Sequence, residues 1–437
     1  MTRPAVPAPP PAPDTATART GPEGTGRHGT GSHGTGSHGT GPHGTGSHGT
    51  GPGGTREAAP RPERTDRDGE LFALAEELAD RELAPRAADF EARAEFPREL
   101  LRTLGKAGLL GLPYPVAYGG GGRSYEAYLT VLEILARRWL CVAQSVNIHV
   151  LSCYGLAAHG SEEQRARLLP GMLGGEQLGA NCISEPEAGS DISALGSTAV
   201  RDGDHYAVTG TKAWTSHAGQ ADYYNLFCRT GGPGVRGLSL LLADAGTPGL
   251  SVGRPERKMG VRSSPTAPVV LDGARVPADR LVGRPGKGFL IASGLFDRGR
   301  LGIAACAVGL AGAALDHAVA YTHSRRQFGR PVADFQGLAF QLADMSTQVA
   351  AARALLREAA RCLDAGEDAS RVTAAAARAK LFATDTAMRV TTDAVQALGA
   401  YGCVEDHPVE RWMREAKLLQ IIEGTNQIQR IVIARSL

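Results

Sequence analysis

The sequence predicts an α+β protein, mainly α, with two helical regions flanking one β region. Three observations carry that prediction. Apolar residues recur at helical spacing from about Asp68 to residue 180, and again from about Gly288 to the C-terminus. Between about 181 and 285, short runs rich in Val, Leu and aromatics are separated by Gly, Pro and Asp. No helical pattern separates those runs, which speaks against a doubly wound parallel sheet.

The 437 residues allow two or three domains and a large core. The expected division is a tail over 1–67, a helical domain over 68–180, a β domain over 181–285 and a helical bundle over 286–437. In the tail the pentad G-x-H-G-T repeats from Gly26. It offers almost nothing apolar to offset the entropy of ordering, so it reads as disordered. Gly29, Gly31 and Gly34 match G-x-G-x-x-G, but no strand precedes them and no helix follows, so no dinucleotide site is expected. His28, His33, His38, His43 and His48 suit loose metal binding or nothing specific.

In the first helical region Leu71, Leu74, Leu78 and Leu83 share a helical stripe. "PRELLRTLGKAGLLGL", "SYEAYLTVLEILARRW" and "SEEQRARLLPGML" follow as further helices, the last capped by Ser161 with acids in its first turn. "HYAVTGTKAWTS", "YYNLFCR", "GLSLLLAD", "LSVGRPERKMG" and "APVVLDGARVP" read as antiparallel strands of a small barrel or sandwich. Beyond them Leu338, Leu342, Met345, Val349 and Leu356 mark one long helix, and a second ends at Gly399. Long helices joined by short loops imply a bundle. The apolar run Leu301 to Leu315 is rich in Gly and Ala and reads as a buried helix, too short to span a bilayer.

Bulk chemistry narrows the function. A formal net charge of +2 argues against an electrostatic nucleic-acid binder. Seven cysteines with no CxxC pair fit a reducing cytoplasm, with neither a disulfide framework nor a zinc site. The N-terminus shows no apolar stretch of the signal-peptide kind.

Three stretches hold candidate chemistry. "ANCISEPEAGSD", Ala180 to Asp191, joins a helix to a strand. Its small and hydroxyl residues, Ser184 and Ser190 among them, suit close approach to a planar ligand, or a plain turn. "GTKAWTSHAGQAD" sets Trp214 beside Thr215 and Ser216. That pairing suits an isoalloxazine ring or a core tryptophan. In "LLQIIEGTNQIQR", Glu423 follows an apolar run and precedes Gly424. In an apolar pocket, desolvation would raise this acid toward neutrality and make it a general base, with the N–H beside Gly424 free for an oxyanion. At a helix end it would be plain surface.

Taken in order and spacing, "SEPEAGSD", "KAWTSHAGQAD", "RRQFGRPVADFQGLAFQLADM", "DAVQALGAYG" and "IIEGTNQIQR" closely resemble the acyl-CoA dehydrogenase family. The likeness covers about Asp68 to Leu437. It implies a helical domain, a β domain and a C-terminal four-helix bundle. It also implies FAD and α,β-dehydrogenation of an acyl thioester, with the β-hydride passing to flavin N5. Glu423 stands where most of the family carries the catalytic base. Some relatives place the base at the position of Gly299, which leaves Glu423 without a rival there. For the flavin, the resemblance points to Asn181, Ser184, Trp214 and Ser216. Across a dimer interface it points to Arg325, Gln327, Phe328, Gln336 and the turn Gln396 to Ala400, with Thr425 and Gln427 near the base. Ser190, Asp297 and Arg300, beside Gly424, match thioester contacts. Glu187, His217 and Gly273 depart from common family residues. The implied partners are an acyl-CoA thioester, an electron-transfer flavoprotein and further copies of the chain, as a homodimer or homotetramer. An acyl-carrier-protein substrate, an oxidase that returns electrons to O₂, and a non-catalytic binding homologue are the other readings.

Overall fold

Helices open the computed structural model, which describes residues 66–437. The predicted tail, with its pentads and histidines, lies outside the described residues, save that the first helix begins two residues earlier than expected. The N-terminal region comprises α1 (Asp66–Leu78), α2 (Ala87–Arg93), α3 (Arg98–Lys106), α4 (Tyr125–Arg138), α5 (Leu140–His159) and α6 (Glu162–Leu173). A π-helical turn, Ala79–Leu83, carries α1 toward Pro85, which interrupts the helical run before α2. Ser124 caps α4 by accepting from the Ala127 N–H at 3.1 Å. Ser161 caps α6 in a reciprocal box with Gln164. Helix α5 has no counterpart in the sequence-based expectation. It is buried on nearly every side, so it shows no polar-apolar stripe.

The central sheet is built from β1 (Gly179–Cys182), β2 (Thr198–Asp202), β3 (His205–Ser216), β4 (Tyr223–Arg229), β5 (Leu238–Asp244), β6 (Leu250–Val252), β7 (Thr266–Pro277) and β8 (Leu281–Val282). Its order is β6-β7-β3-β2-β4-β5-β8, with β1 beside β4. The sheet is mixed, where purely antiparallel strands were expected. β1 runs parallel to β4 from Tyr223 to Leu226, and β2 meets the same edge, also parallel, at Arg229. The chain enters the sheet from α6 in the direction of β4, and it returns only after β2 and β3 have formed their hairpin. Strand "LSVGRPERKMG" shrinks to β6; the remainder is loop.

The C-terminal region holds α7 (Gly288–Ser324), a short hairpin of β9 (Arg326–Gln327) and β10 (Arg330–Pro331), then α8 (Gln336–Asp364), α9 (Ala369–Leu398), α10 (Val409–Leu419) and α11 (Asn426–Ala434). Helix α9 stops at Gly399, whose φ of 61° only glycine adopts readily. The run Leu301 to Leu315 forms the middle of the 37-residue α7. By length and composition α5 and α7 could each cross a membrane, yet the apolar windows are 89% and 72% buried within the protein. They are core helices. Side chains from α4 and α5 share one apolar cluster with those of α7, α8 and α9, while the sheet keeps a second. The two helical regions, separated in sequence by the sheet, therefore close around a common core, and the junction of α10 and α11 sits against it.

Candidate active site

The acid turn lies between α10 and α11. Glu423 has φ 52° and Gly424 φ 85°. A glutamate in the left-handed region costs about 1 kcal/mol and needs support from its surroundings. Thr425 supplies some by capping α11 through the Ile428 N–H at 3.3 Å. Helix α9 supplies more. The Lys380 ammonium donates to the carbonyls of Gly424 (2.9 Å) and Gln420 (3.3 Å) and to Asn426 Oδ1 (2.8 Å). Asp385 accepts from the side-chain amides of Gln420 and Asn426, each at 2.7 Å. From α11, Gln429 Nε2 donates to the Gly424 carbonyl at 2.8 Å.

This clamp aims the carboxylate at α7. A Cβ on Gly299 would stand 2.7 Å from Glu423 Oε2. The bare glycine is thus the floor on which the carboxylate rests. Burial pushes the Glu423 carboxyl above the ordinary carboxylate range; Lys380 and then Arg300 pull it partly back. The sequence alternatives are a surface acid and an acid in an apolar pocket; Glu423 is half-buried, with Gly299, Lys380 and Arg300 about it. One residue along α7, Arg300 donates to Asp297 Oδ1 at 2.6 Å, and Thr373 donates to Asp297 Oδ2 at 2.7 Å. Both members of the pair are buried, and burial pushes Asp297 up and Arg300 down even though they face each other. The pair expected at a thioester is turned inward, and it places a cation beside Glu423.

A second group forms where β3 meets β7. The ladder breaks between Lys212 and Thr215, and Trp214 occupies the bulge with φ 59°. Its side chain is thrown outward, 65% exposed near the end of the strand. Ser216 is half-buried beside it, whereas Thr215 turns inward toward Cys182 Sγ at 3.6 Å. The Ala213 N–H donates to the Ser184 carbonyl at 2.8 Å, which ties the loop after β1 to the bulge. Asn181, expected in a loop, belongs to strand β1, and its Oδ1 accepts from Asn225 at 2.9 Å. Ser190 and Glu187 are exposed on the following turn. His217 is a core residue: Nδ1 lies 3.1 Å from the Gly179 carbonyl, and burial pushes the imidazole down to about 3. Gly273 is exposed with φ 60°, a turn requirement.

A third group is spread over an exposed face. Arg325, Gln327, Phe328 and Gln336 lie at the α7–α8 connection, and Gln396 and Ala400 at the end of α9. The two ends meet where the Arg325 guanidinium stands 5.7 Å from the centre of the Tyr401 ring. Phe328 is 92% exposed with φ 51°, an apolar ring presented outward. Gln427 is exposed on the first turn of α11.

Sequence reasoning missed the clamp. Lys380 lies on the stripe Ala376, Ala383, Ala387 of α9, all buried. One lysine on an alanine stripe was the available signal. It also missed that Glu185 is an anchor. Its carboxylate accepts from Lys212 Nζ at 2.7 Å and from the Gly196 and Ser197 N–H groups at 2.7 and 3.0 Å.

Three family models match the chain: the acyl-CoA dehydrogenase N-terminal domain over residues 65–176, the middle domain over 180–274 and the C-terminal domain over 286–437. An acyl-CoA dehydrogenase of Bacillus subtilis is 40% identical over 370 residues, 83% of this chain and 96% of the relative. The solved structure of butyryl-CoA dehydrogenase from Megasphaera elsdenii superposes with a TM-score of 0.83 at 38% identity, covering 85% of this chain and 98% of that one. The prolyl acyl carrier protein oxidase AnaB is similar in fold at 28% identity, with a TM-score of 0.81 over 85% of this chain and 98% of that one.

Proposed function

The chain belongs to the acyl-CoA dehydrogenase family of FAD-dependent oxidoreductases, and on that premise we propose that Glu423 takes the α-proton from an acyl thioester during α,β-dehydrogenation. The observation that carries the reading is the Glu423 carboxylate over Gly299, in a turn clamped by Lys380 and enriched in proton affinity by burial. A base must accept a proton near neutral pH, and a desolvated carboxylate does so better than an exposed one. Gly424 leaves the backbone beside the acid open to the thioester carbonyl.

The residues present fit FAD. Trp214 offers an exposed aromatic face, with the Ser184 and Ser216 hydroxyls beside it as hydrogen-bonding groups. The exposed Arg325 suits a pyrophosphate through its planar fork. Bound FAD supplies the acceptor for the β-hydride. Arg325, Gln327, Phe328, Gln336, Gln396 and Ala400 would serve a flavin held by a second copy of the chain, which accords with their shared exposure. Thr425 and Gln427 would flank the ring near the acid, and Ser190 would meet the thioester where the loop is open. Asp297 and Arg300 would act by orienting this edge of α7. An electron-transfer flavoprotein would take the electrons onward. Six of the seven cysteines are buried free thiols, in keeping with a reducing cytoplasm.

The likeness to an acyl carrier protein oxidase supports a second reading, in which the same acid serves a protein-bound acyl group. Anaerobic titration with acyl-CoA and acyl-carrier-protein thioesters separates the two. Glu423→Gln tests the chemistry common to both. The amide keeps shape but accepts no proton, so flavin reduction should slow by about 10²–10⁴-fold while FAD content stays native. Reduction at the native rate places the base elsewhere.

A further inference from the structure

We propose that Lys380 is a positioning residue for this reaction: its ammonium fixes the Gln420–Asn426 turn in the conformation that holds Glu423 over Gly299, and supplies the charge against which that carboxyl ionises. The inference rests on the reading of Glu423 as the base.

Lys380 has no exposed surface. An ammonium inside a protein is costly unless its donors are met. It has three N–H donors. They go to Gly424 O, Gln420 O and Asn426 Oδ1. All three acceptors lie on the turn that carries the acid, on both sides of it. That arrangement pins a backbone that residue 423, at φ 52°, would not adopt by preference.

The charge matters as well as the bonds. Burial pulls Lys380 down to about 7, and Glu423 and then Asp385 push it back up. Around Glu423, α7 contributes Arg300, which is tied to Asp297. Helix α9 contributes Lys380 and Asp385. Helix α11 contributes Arg430, 3.3 Å from Asp385 Oδ2, and α4 contributes Tyr125, whose hydroxyl feels the Glu423 charge. Lys380 is the larger of the two cationic influences on Glu423. Without it, Arg300 remains, partly neutralised by its own aspartate.

The test uses FAD-loaded Lys380→Met, which removes donors and charge, and Lys380→Gln, which keeps an N–H donor and removes charge. Two rates are followed against pH. One is anaerobic flavin reduction by butyryl-CoA. The other is deuterium entry from D₂O into the α-carbon of acetyl-CoA, which has no β-carbon and so reports proton abstraction without hydride loss. In both variants the acidic limb should move up by about one pH unit, since the carboxyl loses its main cation. In Lys380→Met the plateau rates should fall at least about tenfold, while FAD content and half-saturating thioester concentration hold within about twofold. Lys380→Gln should recover part of the plateau and keep the shifted limb. Wild-type limbs and plateaus in both variants overturn the inference. If Lys380→Met yields no folded holoenzyme, the limb in Lys380→Gln decides. Failure of the underlying reading is distinct, because it shows as native flavin reduction in Glu423→Gln whatever the lysine variants do.

Discussion

Lys212 and Lys380 both have no exposed surface, one on strand β3 and the other on helix α9. Each is held by two backbone carbonyls: Phe227 and Ile183 at 2.6 and 3.3 Å for Lys212, Gly424 and Gln420 for Lys380. They differ in the third partner. Lys212 donates directly to the Glu185 carboxylate, whereas Lys380 donates to the neutral amide of Asn426. The effect on the nearby acid is opposite. Burial pushes Glu185 up, but Lys212 and the Ser197 and Gly196 bonds more than reverse it, so its carboxyl sits below the ordinary range. Glu423 stays above it. A direct ion pair turns a carboxylate into structure; a cation kept one residue away leaves the carboxylate able to take a proton.

The largest effect should come from breaking the direct pair. Lys212→Met leaves Glu185 without its cation and should cost about 3–5 kcal/mol of stability, read by denaturant unfolding. A cost below that of an ordinary surface change would mean the Glu185 loop stands without it. Second, Gly299→Ala sets a methyl against the Glu423 carboxylate at a point where only 2.7 Å is free. The tip of that side chain can shift, so the protein should fold, but flavin reduction should fall about ten- to a hundredfold through misplacement. An unchanged rate would show that the carboxylate does its work from another position. The smallest effect concerns stability against pH. A folded-state value above the ordinary 4.5 means the native protein holds this proton more tightly than the unfolded chain does. The stability it contributes is full below 4.5 and is lost as pH rises through the folded value. Glu423→Gln should therefore match the parent near pH 4 and melt about 1–2 °C higher near pH 8. Equal melting at both would place the acid in water.

Much of the fold was legible because its pattern is one-sided. Met345, Val349 and Leu356 mark the buried stripe of α8; β3 and β4 coincide with the runs that announce them, although β4 is buried on both faces and is marked by its short apolar-aromatic run between turn residues. Helix α5 escaped for the opposite reason, being buried on nearly every side with polar residues such as Gln144, Asn147 and His149 inside, so that no polar-apolar stripe marks it. β2 escaped because one residue of its five, Ala199, is buried, too little for a period. At the site, Glu423 could be singled out from its apolar neighbours and the glycine behind it. Its supporting residues could not be assigned, because Lys380, Asp385 and Asn426 come together only when α9 folds against the α10–α11 junction. Asp297 and Arg300, which the resemblance offers as thioester contacts, also pair with each other across one helical turn, a contact that spacing alone allows but does not single out.

The backbone at residue 423 also changes what a shorter acid would report. Aspartate tolerates the left-handed region better than glutamate, so Glu423→Asp relaxes the main chain while drawing the carboxyl back by one methylene. Any loss of turnover in that variant would then come from shorter reach and the weaker basicity of aspartate, not from backbone strain.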